Sequence, residues 1–229
     1  TLRFANDLDC AYDIFGENVS RLLQAVGIPA THLIGEVSQA EIAATMQKML
    51  PPEHRAVVPE QVNARAWLAE QFRESLSKQW RCDLSRASDA EMLDSIQYLL
   101  FPNFAPWGGN AIPIAYRFRP WNNDPNQSLM EIMRLHPIPD DENYLTAEPY
   151  WLKPGDSWTH APGFEQLGIV IDQDMDNLPR IQHGLRAARH SHMTLSDYQE
   201  IRIRHFHARL NAQLGLAPAG QDMDRDTTI

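Results

Sequence analysis

The sequence predicts an α+β domain in which helices cover one face of an antiparallel sheet. Helical periodicity comes first along the chain, short aromatic and branched segments separated by turn-forming residues follow, and helical periodicity returns near the end. The 229 residues are enough for one large domain with its own core. We therefore expect one domain over residues 1–214 and a polar, flexible tail over residues 215–229.

The first helical region contains two segments. Ser38 and Glu41 have the spacing of a capping box, and Ile42 begins an apolar helical face that ends at Pro51. A longer amphipathic helix is predicted from Pro59 to about Trp80, because apolar residues recur there every three or four positions.

The pattern then changes to the shorter segments that are typical of strands. Turn-forming sequences, PWGGN and PWNNDPNQ, separate three of them: Ile96–Phe104, Ile112–Phe118 and Leu129–Leu135. These segments predict an antiparallel meander. A phosphate-binding loop is not predicted, because Gly108 and Gly109 lack the lysine and the later glycine of such loops.

Two helices are predicted to follow, at Leu178–Arg189 and Leu195–Leu214. Asn177 is a suitable N-cap for the first of them, and Pro179 suits its first turn. The second has an apolar side formed by Leu195, Ile203, Phe206, Leu210 and Leu214.

Composition excludes several classes of function. The formal charge of −10 argues against nucleic acid or an anionic membrane as a partner, since either would favour a basic surface. Cys10 and Cys82 are too few and too far apart in sequence for a disulfide framework or a local metal cluster. No apolar run has the length of a membrane span, so a reducing cytoplasm is the expected location.

The stretch VIDQDMDN, from Val170 to Asn177, has three carboxylates at alternate positions. A calcium loop that begins at Asp172 would need glycine and glutamate where Asn177 and His183 stand, so this alternative fails. Two interpretations remain open, a solvated helix start and a carboxylate that points inward to a metal. The alternation predicts that the chain changes from strand to helix inside this motif.

The histidines do not predict a local metal site. His205 and His207 lie two residues apart in a predicted helix, so they point about 200° away from each other. His190 and His192 belong to a basic group, which we interpret as solvated helix faces or as a docking surface for an acidic partner: Arg186, Arg189, His190, His192, Arg202 and Arg204.

Four blocks carry a resemblance to a known family: FPNFAPWGG, YRFRPWNNDPNQSLMEIMRLHPIP, GIVIDQDMDNLPRIQHGLRAAR and LSDYQEIRIRHFHARLN. In order and spacing they resemble the C-terminal catalytic domain of the large (alpha) subunit of Rieske-type non-haem iron ring-hydroxylating oxygenases. The resemblance covers roughly residues 95–212 through these blocks, and TLRFANDLDCAYDIFGENVSR extends it to Thr1. It implies a helix-grip (START/TBP-like) fold, in which an antiparallel sheet curves around a long helix.

The resemblance also implies a mononuclear Fe(II) site held by two histidines and one carboxylate, which leaves positions open for dioxygen. Asp174, three residues before Asn177, is the expected iron ligand and catalytic residue. The two histidines and the [2Fe–2S] Rieske cluster are expected upstream, outside this chain, because Thr1 aligns a few residues after the second histidine. We therefore expect the chain to be part of a longer subunit and to be inactive alone.

Substrate and partners also follow from the resemblance. An aromatic or related hydrophobic substrate would be hydroxylated with O2 in an apolar pocket beside the iron, to which four positions correspond: Gln97, Leu99, Phe164 and Val170. A ferredoxin, a reductase or both would deliver electrons from NAD(P)H, and the intact enzyme would be a homotrimer or an α3β3 assembly. The alternative is a non-catalytic helix-grip domain that binds a hydrophobic ligand.

Overall fold

The computed structural model describes residues 8–30, 35–48, 58–59, 61–138, 147–165, 167–189 and 193–216. The chain divides into two compact units, one formed by Thr1–Glu142 with Leu195–Ile229 and the other by Asn143–Thr194. One domain over residues 1–214 stays a prediction, and the predicted tail lies outside the described residues except for Gly215 and Leu216. Within the described ranges, no helix is both long enough and apolar enough to cross a membrane.

The first unit is built on a six-stranded antiparallel sheet whose spatial order is the same as its order in sequence. Its strands are β1 (Leu8–Phe15), β2 (Val19–Pro29), β3 (Ser95–Leu100), β4 (Phe104–Gly108), β5 (Ile114–Trp121) and β6 (Asp124–Arg134). The α+β class is therefore confirmed.

Two expectations about strand order were wrong. The sheet begins before the predicted helices, because β1 and β2 precede them in sequence. β2 pairs with β1 on one side and with β3 on the other, so both strands belong to the same sheet as the meander. The predicted segment Ile96–Phe104 contains most of β3, a turn and only the first residue of β4, and three of the five residues of PWGGN belong to β4 instead of a loop. The turn between β5 and β6 is only Asn122 and Asn123, whose positive φ angles allow a tight hairpin.

Between β2 and β3 the described residues form α1 (Gln39–Lys48), α2 (Ala64–Trp80) and α3 (Asp89–Leu93). The capping box before α1 is confirmed, because the Glu41 carboxylate accepts from the Ser38 backbone N–H and the Ser38 hydroxyl accepts from the Glu41 N–H. α2 begins later than predicted, because the Asn63 side chain caps it by accepting from the Ala66 N–H at 3.0 Å.

The main core joins these helices to the end of β2. Its buried residues are Val26, Ile42, Ala43, Ala64, Leu68, Ala69, Met92 and Leu93. Asp94 is buried beside this core, and its carboxylate accepts from Arg65 at 2.6 and 2.8 Å and from the Val26 N–H at 2.9 Å. A buried charge is tolerated here because Arg65 supplies the opposite charge and, with the Val26 N–H, the hydrogen bonds.

The strand register assigns residues to the two faces of the sheet, since directly opposed residues of antiparallel strands point to the same side. Ser20 is opposite Leu99, and Gln97 is opposite both Leu22 and Trp107. We call this side the α5 face, because α5 (Ile201–Gln213) packs on it through β1 and β2. The other face is charged at several positions, with ion pairs such as Arg21–Asp13 and Arg119–Glu131.

The second unit contains a 3₁₀ helix at Trp158–His160 and α4 at Leu167–Ala187. The predicted change from strand to helix within VIDQDMDN is wrong, because the whole motif is helical and Asn177 lies inside α4 instead of capping it. α4 begins early because Gly168 lies against the Trp158–Thr159 backbone, where a Cβ atom would approach within 2.5 Å of the Thr159 nitrogen.

Candidate functional site

A groove of about 220 Å³ lies between the sheet and α5. Its lining residues are Leu99, Arg202, Ile203 and Phe206. Leu99 is one of the residues that the sequence predicts for a substrate pocket, and it comes from β3. The other three come from α5, so the groove has an apolar lining with a single charged side chain.

Aromatic contacts fix α5 on the sheet. The Tyr198 ring lies edge-on to Tyr12 of β1, with ring centroids 5.2 Å apart. The Phe206 ring contacts Phe101 just after β3, at 5.7 Å between centroids. These contacts hold one turn of α5 over the strands that carry Ser20 and Gln97, and thereby place Arg202 on the sheet.

Arg202 points at the α5 face. Its Nε donates to Ser20 Oγ at 3.3 Å, and its Nη1 donates to Gln97 Oε1 at 3.1 Å. Burial lowers the pKa of the Arg202 guanidinium below its ordinary value, with the Tyr12 hydroxyl opposing this effect more weakly. Among the described residues no carboxylate forms an ion pair with Arg202. The cation is thus held by neutral groups only.

The interpretation of Arg202 as part of a solvated basic face is wrong, because its side chain bonds to the sheet. Arg204, two residues later, does lie on an exposed face, where it pairs with Asp197 at 2.9 Å. His190 and His192 lie outside the described residues.

The three carboxylates of VIDQDMDN have different surroundings in α4. Asp172 accepts from the Ser157 hydroxyl at 2.5 Å and from the Trp158 N–H at 2.8 Å, and these bonds lower the pKa of its carboxyl. Asp176 pairs with Arg180 at 2.8 Å. Asp174 is exposed, and no hydrogen bond or ion pair joins it to another described residue. Asp174 alone therefore keeps both carboxylate oxygens available within the described structure.

Asp174 also lies in an apolar stripe. Val170 is four residues before it, so both lie on the same face of α4. The same face continues through three further exposed apolar residues, Leu178, Ile181 and Leu185. A lone carboxylate in the middle of an exposed apolar surface is an unusual arrangement for a residue that only solubilises a helix.

Phe164 has a packing role in the second unit. It is only 9% exposed, and its ring lies 6.4 Å from that of Trp158. Its carbonyl accepts from the Gly168 N–H, which ties it to the start of α4. Phe164 therefore packs against the start of the 3₁₀ helix, where Ser157 and the Trp158 N–H donate to Asp172.

The five predicted site residues divide between the two units. Gln97 and Leu99 meet at Arg202 in the first unit, whereas Phe164, Val170 and Asp174 belong to the second. Among the described residues, no three His, Cys, Asp or Glu side chains are grouped so that they could hold a metal ion. The donor set fits the implied iron in one respect, since Asp174 supplies one unengaged carboxylate of a two-histidine, one-carboxylate set.

Sequence reasoning missed Arg202, Ser20 and Phe206 as site residues. A signal for Arg202 was present, because a basic residue beside apolar positions on a helix can turn its long side chain toward the covered face. No protein-family model matches the chain, and no curated protein and no solved structure matches it.

Proposed function

We propose that this chain is the catalytic domain of a ring-hydroxylating oxygenase that uses mononuclear non-haem Fe(II) and O2 to hydroxylate an aromatic or related hydrophobic substrate. The observation that carries the proposal is the unengaged Asp174 carboxylate on the apolar face of α4, within the motif that resembles the iron-binding block of that family. Its neighbours Asp172 and Asp176 are occupied by other contacts, which leaves Asp174 for the metal.

The fold supports the same proposal at a coarser level. An α+β unit with a six-stranded antiparallel sheet is compatible with the helix-grip architecture, which we propose as the finer description. The α5 face adds a groove lined by Leu99, Ile203 and Phe206, of the apolar kind that binds small hydrophobic molecules.

In this proposal Asp174 holds one coordination position, and two histidines outside this chain hold two others. The bound iron would activate O2 with electrons that reach it from a [2Fe–2S] Rieske cluster, also outside this chain, and ultimately from NAD(P)H through a ferredoxin or a reductase. The chain's own apolar residues would orient the substrate and exclude water. A homotrimer or an α3β3 assembly is the proposed intact form.

One observation favours a second candidate, a non-catalytic domain that binds a hydrophobic ligand. The groove beside Arg202 is complete within the first unit, and no described residue in its lining is a typical iron ligand. A carrier would need only this groove, whereas an oxygenase also needs Asp174. The two candidates therefore differ in what they predict for the acidic motif.

The test replaces Asp174 by alanine or asparagine in the large subunit that contains this sequence together with its Rieske cluster. We expect loss of mononuclear iron and of product formation, with the visible absorption of the Rieske cluster unchanged, because one of three protein ligands is removed.

Asp176→Ala is the matched control, since it removes a carboxylate two residues away that pairs only with the exposed Arg180. It should retain iron and activity. Wild-type iron content in the Asp174 variants would contradict the assignment, and binding of hydrophobic ligands without iron in every variant would favour the carrier.

A further inference from the structure

The α5 face carries two donor groups, Arg202 and Trp107, that are not fully paired among the described residues. Arg202 has two neutral partners at 3.1 and 3.3 Å, although a guanidinium has five N–H groups. Trp107, directly opposite Gln97 on the same face, has a buried indole N–H without an acceptor among the described residues. Arg202 lines the groove and is the donor that a bound molecule can reach, so the groove favours a molecule with acceptor oxygens.

The charge of Arg202 strengthens this point. Removing a guanidinium from water is unfavourable unless an anion or several good acceptors compensate for it. Ser20 and Gln97 supply dipoles and no negative charge, and the described residues supply no carboxylate. An anionic group at this position would form an ion pair with the guanidinium, whereas in the two present hydrogen bonds only the donor is charged.

The other lining residues of the groove favour a ligand whose remaining part is apolar. Leu99, Ile203 and Phe206 form apolar walls around the guanidinium. The groove, of about 220 Å³, is open to solvent, so an aromatic ring with a small substituent can lie against these walls without being enclosed.

We propose that this groove binds an aromatic carboxylate, with its carboxylate on Arg202 and its ring against Leu99 and Phe206. In this role Arg202 determines specificity for organic acids over neutral aromatic compounds. The inference goes beyond the proposed function, because it names the ligand class and holds whether the groove serves an oxygenase or a carrier.

The experiment is calorimetric titration of the 229-residue chain with benzoate and with benzamide, which have nearly the same shape but differ in charge. We expect wild-type protein to bind benzoate at least about tenfold more tightly, since benzoate forms an ion pair with Arg202 and benzamide only accepts hydrogen bonds from it. Arg202→Gln should lose this preference, and Arg202→Lys should retain part of it because the charge remains without the planar fork.

Arg204→Gln is the matched control, because Arg204 is on the same helix but pairs with the exposed Asp197. It should keep the full preference for benzoate. No iron is needed for these measurements, so their failure is distinguishable from failure of the iron assignment at Asp174.

A second variant covers the case in which Arg202→Gln does not fold. Gln97→Glu places a carboxylate where the amide oxygen lies 3.1 Å from Arg202 Nη1, and so supplies the missing anion from within the chain. We expect a higher melting temperature and a loss of the benzoate preference, because the internal carboxylate competes with the ligand.

The proposal would be overturned by equal binding of benzoate and benzamide by the wild-type chain, by no measurable binding of either compound, or by an equal loss of preference in Arg204→Gln. An unchanged benzoate preference in Gln97→Glu would also overturn it, because Arg202 would then not be the group that receives the carboxylate.

Discussion

Arg65 and Arg202 are both partly buried, yet their surroundings differ. Arg65, on α2, forms a two-pronged ion pair with the buried Asp94 at 2.6 and 2.8 Å. Arg202, on α5, donates to two neutral groups at longer distances, 3.1 and 3.3 Å. The helical end of the first unit therefore satisfies its buried charge internally, whereas the α5 face does not.

The difference suggests how structural charges can be told from functional ones in this chain. Arg65 and Asp94 pair with each other at two points, and Asp94 also accepts from the Val26 N–H, so the buried charges compensate each other within the chain. The acidic motif of α4 repeats the contrast, since Asp172 is engaged by Ser157 and Trp158 whereas Asp174 has no partner among the described residues. Groups whose partners lie within the described structure explain stability, and those without such partners are the candidates for function.

The largest expected effect comes from removing the carboxylate that pairs with Arg65. Arg65, like Arg202, would then have no ion-pair partner among the described residues. Asp94→Ala removes the carboxylate and leaves a buried guanidinium and the Val26 N–H without their acceptor. We expect the free energy of unfolding to fall by about 3–5 kcal/mol, as when one partner of a buried ion pair is removed. Chemical denaturation monitored by circular dichroism measures the loss.

The control for this substitution is Asp197→Ala, which breaks the exposed pair with Arg204. It should change stability little, because solvent screens an exposed ion pair. Similar losses in the two variants would mean that burial does not separate structural from surface charges, and the comparison between Arg65 and Arg202 would fail.

A smaller effect is expected where α4 meets the 3₁₀ helix. Gly168→Ala forces a methyl group against the Trp158–Thr159 backbone, where the nearest atom would be 2.5 Å away. We expect a loss of about 1–3 kcal/mol, which is typical of overpacking. Hydrogen exchange of the amides in 147–189 should show the change.

Gly184→Ala tests the open half of the same helix, where an added Cβ meets no atom within 4 Å. Alanine favours helix over glycine by about 1 kcal/mol, so this variant should be stabilised. If both substitutions changed stability in the same direction, the close approach at Gly168 would not be what fixes the start of α4.

The smallest effect concerns acid pH. Hydrogen bonds from Ser157 and the Trp158 N–H hold the pKa of Asp172 below its ordinary value of 3.8. The folded carboxyl binds its proton less readily than the unfolded one, so this stability is present above pH 3.8 and is lost as the pH falls toward the folded pKa. Melting curves between about pH 2 and pH 5 should show the decline, because the loss occurs as the pH falls below the unfolded pKa.

Asp172→Asn should flatten that acid-side decline, whereas Asp174→Asn should leave it in place. The reason is that the hydrogen bonds that favour ionisation belong to Asp172 only. If Asp174→Asn flattened the acid-side decline more than Asp172→Asn, the structural role given to Asp172 and the functional role given to Asp174 would be wrong.

The elements that depend on local chemistry could be predicted from the sequence. The capping box at Ser38 and Glu41 and the alternation of turns and strands from Ile96 to Leu135 identified α1 and the region of the meander. The start of α4 could not be predicted, because Gly168 and the alternating aspartates disfavour a helix locally and the contact with Thr159 overrides them. Tertiary packing decided this boundary.

The candidate site was predictable only in part. Gln97 and Leu99 were expected in a pocket, and both lie beside Arg202, although the proposed roles remain to be tested. The apolar side of the last helix was expected to be covered, yet Ile203 is 44% exposed and Arg202 points at the sheet. Periodicity cannot choose the covered face of a helix as polar as α5, because a long arginine side chain can lie on either side.

The placement of helices between β2 and β3 has a consequence for folding kinetics. Hairpins within β3–β6 join neighbours in sequence and need only short loops, whereas the β2–β3 ladder pairs Gln24 with Ser95 across a long segment that includes α1, α2 and α3. Contacts of high sequence separation cost more loop-closure entropy and form later. Leu99 and Trp107 would therefore be in place first, and the groove would be completed only when β2 brings Ser20 and the far end of the chain brings Arg202.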